Sequence, residues 1–196
     1  MNEASVHALR TVWQMMRTME SGLLGQLDLS PKGARASFRA ILVALPSLAI
    51  GWVGSARVIL GAEATAEQMV SLITGIALSG LVEWMVPLVV FIPLLWAVGL
   101  GPRYNAFLVT TNWAGAIFAF LAVPIGVGRI LFPTAAEFDA ILILVILGII
   151  SALYWRLLRA ALGIGGGQAV AFVFISLLLS MLSSYGMAEA LGLQFG

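Results

Sequence analysis

One carboxylate, Glu83, stands alone among charged residues in an apolar run from residue 70 to residue 100. Hydrocarbon solvates charge poorly, so an ionisable group in such a run marks either a functional site or a structural ion pair. Arg57 is the natural partner. Glu83 lies roughly 25 Å from the Leu100 end of its run at about 1.5 Å per residue. Arg57 lies roughly 27 Å above Arg39 in the preceding run by the same rise. Consecutive segments are usually neighbours, so equal depth leads to the expectation that Glu83 and Arg57 meet directly or through one water. Read functionally, Glu83 carries a proton or cation in a transport cycle. Read structurally, the pair pins two helices together. Asn112 lies roughly 12 Å from the inner end of its own run, too shallow to reach Glu83. With Thr110 and Thr111 it is expected to make interhelical hydrogen bonds, each contributing on the order of 0.6 kcal/mol.

Other chemistries find no matching set of residues. Cysteine is absent and His7 is the sole histidine, which removes thiolate metal sites, disulfides and cysteine nucleophiles. Serine nucleophiles lack a base, because His7 sits in the polar N-terminal segment. The pairs Glu63/Glu67 and Glu137/Asp139 read as solvated loop charges. The run Gly163-Ile164-Gly165-Gly166-Gly167-Gln168 lacks the Lys and Ser/Thr of a phosphate loop and reads as a turn and helix C-cap. A net charge of +1 gives no case for nucleic-acid binding. The chain is therefore expected to be non-enzymatic, with no cofactor and no metal.

The elements that carry Glu83 follow from composition. The chain is 61% hydrophobic and 10% charged, with mean hydropathy +1.06. Soluble domains carry nearer a quarter charged residues. Crossing about 30 Å of hydrocarbon takes roughly 20 apolar residues, and five runs qualify, at about 37–60, 70–100, 104–131, 138–158 and 168–191. The expected fold is an all-α membrane protein: a five-helix bundle over residues 37–196 behind a leader over residues 1–36. Pro46 is expected to kink the first span and Pro87 and Pro93 to bend the second. Asn112, Pro124 and Arg129 interrupt the third. Ser30-Pro31 reads as an N-cap followed by Pro at the first helical position.

The leader is no cleavable signal sequence by composition, since His7, Arg10, Arg17, Glu20 and Asp28 break any apolar core. Val6, Leu9, Trp13, Met16 and Leu23 recur at helical spacing. Arg10, Trp13 and Arg17 mark it as an amphipathic helix at the membrane interface, in contact with the lipid bilayer; packing on the loops or on a partner is the alternative. Five spans place the two ends on opposite sides. With the N-terminus cytoplasmic, Arg10, Arg17, Lys32, Arg35, Arg39, Arg103, Arg156 and Arg159 lie inside, and Arg57 and Arg129 outside, which accounts for all 10 basic residues and obeys the positive-inside rule. Trp96, Tyr104, Phe132, Phe138, Tyr154 and Trp155 read as interfacial aromatic belts.

Small residues recur four apart at Ser47/Gly51/Ser55, Gly75/Ser79 and Ser176/Ser180/Ser184. Such ridges let helices approach closely, within the bundle or across a homo-oligomer. The segments LDLSPKGARASFRAILVALP, YNAFLVTTNW and YWRLLRAALGI resemble segments of small bacterial inner-membrane proteins of Yip1-type five-helix layout. That resemblance implies a cytosolic N-terminus, five helices and no catalysis, and supplies no site residue. The sequence favours an accessory or assembly subunit, or a membrane organiser, working through helix contacts in a membrane-protein complex or homo-oligomer. The alternative is a small-solute or ion transporter that uses Glu83. Topology is checked with reporters: green fluorescent protein joined before Met1 should fluoresce and alkaline phosphatase joined after Gly196 should be active. Both ends reporting from one side would reject the five-span count.

Overall fold

The computed structural model describes residues 2–61 and 63–190. Its elements are α1 (Glu3–Thr18), α2 (Pro31–Ser37), α3 (Arg39–Leu60), α4 (Ala66–Ala97), α5 (Tyr104–Leu121), α6 (Val123–Leu131), α7 (Ala136–Leu162) and α8 (Gly166–Ala190). Five helical stretches are long and apolar enough to cross a membrane: Pro31–Leu60, Ala66–Ala97, Gly101–Leu131, Ala136–Leu162 and Gly166–Met187. The fold is that of an integral membrane protein. Leu191, where the fifth run was expected to end, lies outside the described residues.

Local chemistry sets the boundaries. Ser30 caps α2, accepting from the Gly33 amide at 3.2 Å, with Pro31 opening the helix. Asp28 accepts from the Ser30 amide at 3.0 Å, and Ser30 holds its carboxyl below the usual carboxylate range. That contribution to stability is in place above the ordinary carboxylate pKa and is lost as pH falls through the lowered value. Thr65 and Gln68 form a reciprocal capping box on α4, which satisfies two of the free amides where the helix enters the bilayer. Helix α3 runs unbroken through Pro46 and α4 through Pro87 and Pro93. The third run breaks at Ala122, with Pro124 opening α6. Gly163, at φ 61°, closes α7 in the left-handed region, as the glycine-rich turn implied.

The leader departs from the expected arrangement. Its buried face is Ser5, Ala8, Thr11, Val12, Met15 and Met16, packed on α5 and α7, and of the expected stripe Met16 alone is fully buried. The small side chains Ser5, Ala8 and Thr11 let α1 lie close to the bundle, which outweighs the larger Val6, Leu9 and Trp13. Arg10, Trp13 and Arg17 are left on the outward face. Arg156 donates to the Arg17 carbonyl, and Asn105 donates to the Leu29 carbonyl at 3.0 Å. At this end of the bundle, the leader end, a buried cluster of rings and aliphatic side chains lies beside a hollow of about 450 Å³ lined by Leu24, Leu29, Pro102 and Asn105. Phe91 and Phe107 stack with centroids 4.7 Å apart, and Phe172 tilts onto Phe91 at 5.4 Å. Leu95, Leu157, Leu158 and Leu162 fill the space between these rings and Met15 and Met16.

The tightest crossing joins α3 to α6. A methyl group on Gly54 would lie 2.5 Å from the Gly126 carbonyl oxygen, and one on Gly126 would lie 3.0 Å from Gly51 backbone. The Ser47/Gly51/Ser55 ridge therefore serves packing inside the bundle. Gly54→Ala should cost about 1–3 kcal/mol of overpacking. Gly148→Ala, at a helical position with open space around it, should leave the Tm of the purified protein unchanged. Equal Tm values for the two variants would refute the backbone contact.

Candidate functional site

Away from the leader end, the bundle is hollow. A chamber of about 1130 Å³ lies among α3, α4, α5, α7 and α8, with Arg129 of α6 at its margin. Its depth follows from the residues that wall it: Leu48 to Ile59 on α3, Ile76 to Pro87 on α4, Thr111 to Ala119 on α5 and Val173 to Tyr185 on α8. Ser184 and Tyr185 are exposed, so the chamber meets the surface beside α8. The phenylalanine layer closes it toward the leader.

Glu83 is in the chamber wall, half-buried. The Ser184 hydroxyl donates to its Oε1. The expected ion pair with Arg57 does not form: Arg57 is exposed near the end of α3, and among the described residues the one ion pair is Arg129–Asp139. The expectation fails on height: the Trp84–Asn112–Ser37 hydrogen bonds set Glu83 level with the start of the first span, whereas Arg57 lies in the last turn of α3, roughly 30 Å further along at helical rise. The second run packs on α8 more than on α3, which turns Glu83 toward the serines. Those serines are the Ser176/Ser180/Ser184 ridge. It lines the chamber with hydroxyls rather than serving close approach.

Arg129 is satisfied elsewhere. Its Nε and Nη2 donate to Asp139 at 2.9 and 3.0 Å, and its Nη1 donates to Ser55 Oγ at 2.8 Å. Asp139 is thus a fixed partner and not a solvated loop charge. The bidentate geometry matches the guanidinium fork and joins α6, α7 and α3 at the chamber rim. Tyr154 is also relocated. It is buried, lines the chamber and meets Phe118 edge-on with centroids 6.1 Å apart. Of the other expected belt residues, Trp96, Phe132 and Phe138 are exposed.

Next to Glu83, Trp84 is held in place by a buried relay. Its Nε1 donates to Asn112 Oδ1 at 2.9 Å, Asn112 Nδ2 donates to Ser37 Oγ at 2.8 Å, and the Ser37 hydroxyl donates to the Ala34 carbonyl at 2.7 Å. Asn112 is 0% exposed. It makes the interhelical bonds expected of it, but at the level of Trp84, next to Glu83, and not at the shallow depth that counting from the run's end implied; Thr110 turns back to the Ala106 carbonyl of its own helix at 2.7 Å. Gly115 makes room for the indole, since a methyl there would lie 2.7 Å from the Trp84 ring. Trp52 of α3 adds a second indole to the wall.

The chemistry on offer is binding rather than bond-making. The lining gives one carboxylate, a neutralised guanidinium, a phenol, a row of hydroxyls and apolar rings. Among the described residues no three His, Cys, Asp or Glu side chains cluster to hold a metal ion.

Asn112→Ala should strand the Trp84 N–H and the Ser37 hydroxyl in a dry site, at about 1–3 kcal/mol. Thermal denaturation in detergent should show a Tm lower by several degrees. Adding Ser37→Ala should cost less than the sum of the two single changes, because both break one relay. Strict additivity would dissolve the relay. No protein-family model, curated protein or solved structure matches this chain, so its function is argued from its own geometry.

Proposed function

We propose that this chain is a small-solute transporter that loads its substrate at Glu83 inside the membrane, with no covalent step. The observation that carries the reading is the chamber: about 1130 Å³ of space with Glu83 in its wall, closed on one side by stacked phenylalanines. A carboxylate is costly in hydrocarbon unless it has a task or a partner. Among the described residues the one partner of Glu83 is a serine hydroxyl, an incomplete match for a charge. Small-molecule sites are concave, mostly apolar, and carry a few convergent polar groups, which describes this lining. With the leader cytoplasmic, as the distribution of basic residues implies, the chamber faces the outer leaflet.

The accessory-subunit reading draws on broad exposed apolar faces, such as Leu42, Leu144, Met181 and Leu182. Lipid covers such faces as well as a protein partner does. That reading leaves the hollow and its carboxylate without a role.

Access by water-soluble reagents separates the two. The chain has no cysteine, so a single introduced thiol reports cleanly. In proteoliposomes, Ser180→Cys should react with a membrane-impermeant thiol reagent. Leu88→Cys, 2% exposed and beside the phenylalanine layer, should not. A Ser180→Cys thiol shielded from both sides would return Glu83 to a structural role and end the transport reading.

A further inference from the structure

The charge and shape of the chamber go further than transport in general and select a class of substrate. Two charged residues line it, Glu83 and Arg129. The guanidinium is already committed to Asp139 through two bonds and to Ser55 through a third. Among the described residues Glu83 keeps a single donor, the Ser184 hydroxyl. The described lining therefore holds one carboxylate with no cationic partner and no spare cation for an anionic ligand.

The main chain adds a second acceptor at the same residue. Proline lacks an amide hydrogen, so Pro87 withholds the donor that would normally bond the carbonyl four residues earlier. That carbonyl belongs to Glu83, and Pro87 itself lines the chamber. The Glu83 carbonyl is thus left without its usual helical donor. Glu83 shares the lining with Trp52, Trp84, Phe118 and Tyr154. The Trp84 N–H is spent on Asn112, which leaves its ring face, and an aromatic face attracts cations. The space far exceeds a bare metal ion or ammonium.

Resting on the transport reading above, we infer that the chamber takes a protonated primary or secondary amine with a bulky apolar body. The ammonium donates to the Glu83 carboxylate, and the body lies among the indoles. A quaternary cation has no N–H to donate, and a neutral molecule leaves Glu83 without its counter-charge.

Two probes with one apolar body test this: monodansylcadaverine, which carries a primary ammonium, and its N-acetyl derivative, which does not. Binding to the full chain in phosphatidylcholine nanodiscs is read by energy transfer from tryptophan to dansyl, with empty nanodiscs subtracting partition into lipid. The amine should bind at least about tenfold more tightly than the acetylated probe. Glu83→Gln should lower amine affinity to the acetylated level and leave the acetylated probe unaffected. Glu83→Asp should keep much of the preference. Equal binding of the two probes to the unaltered chain, preference retained in Glu83→Gln, or no saturable binding of either would overturn the amine assignment. Thiol access at Ser180 stands or falls separately, so loss of the amine class is distinguishable from loss of the transport reading.

Discussion

Hydrocarbon offers no hydrogen bonds, and that absence organises this structure more than any attraction within it. A polar side chain placed in a span must find its partner on another helix or on its own backbone. The run from Trp84 through Asn112 and Ser37 to the Ala34 carbonyl meets this demand completely. It ties α4, α5 and α2 at one level. Tyr104 does the same by donating to the Leu88 carbonyl at 3.0 Å. These bonds fix the rotation of α4, and that rotation carries Glu83 into the chamber wall. The site is a by-product of satisfying neighbouring groups, which is why a residue outside the chamber lining, Asn112, positions one within it.

The bundle divides its labour along its length. Toward the leader, stacked rings and leucines form a buried cluster, where interdigitated side chains leave little room for rearrangement. Toward the other end, small residues and hydroxyls replace them and space opens. The α3–α6 crossing, where glycines bring backbones into contact, and the Arg129–Asp139–Ser55 bonds hold the rim of that space. A bundle that is solid throughout has no place for a ligand, and one that is hollow throughout has no closed end. This one has a floor.

Much of the architecture was legible in the chain. Apolar run length gave the five spans, because bilayer thickness imposes it, and Ser30-Pro31 and Gly163 marked helix ends through local backbone chemistry. The interhelical role of Asn112 also followed from its type and setting. What failed was depth. Glu83 and Arg57 were matched by counting along each run, yet the run ends do not share one level, and the bonds from Trp84 through Asn112 to Ser37 set Glu83 far from Arg57 in the last turn of α3. The serine ridge on α8 was recognised by spacing but assigned to close packing, since a hydroxyl that lines a cavity and one that lies in a helix contact have the same periodicity. Tyr154 was assigned to a belt because it sits near a run's end, whereas its contact with Phe118 draws it inward. Leader packing escaped because size dominates a hydrophobic pattern, and the face that docks is built from Ser5, Ala8 and Thr11.

The leader's place in the core has a consequence for biosynthesis. Helix α1 leaves the ribosome before the surfaces it covers, which lie on α5 and α7, and Arg156, which grips the Arg17 carbonyl, follows it by 139 positions. Val12, Met15 and Met16 therefore have no native shelter until the fourth crossing has been inserted. A helix made ahead of the five crossings is seated only after four of them, and its docking reports that those crossings have been threaded correctly.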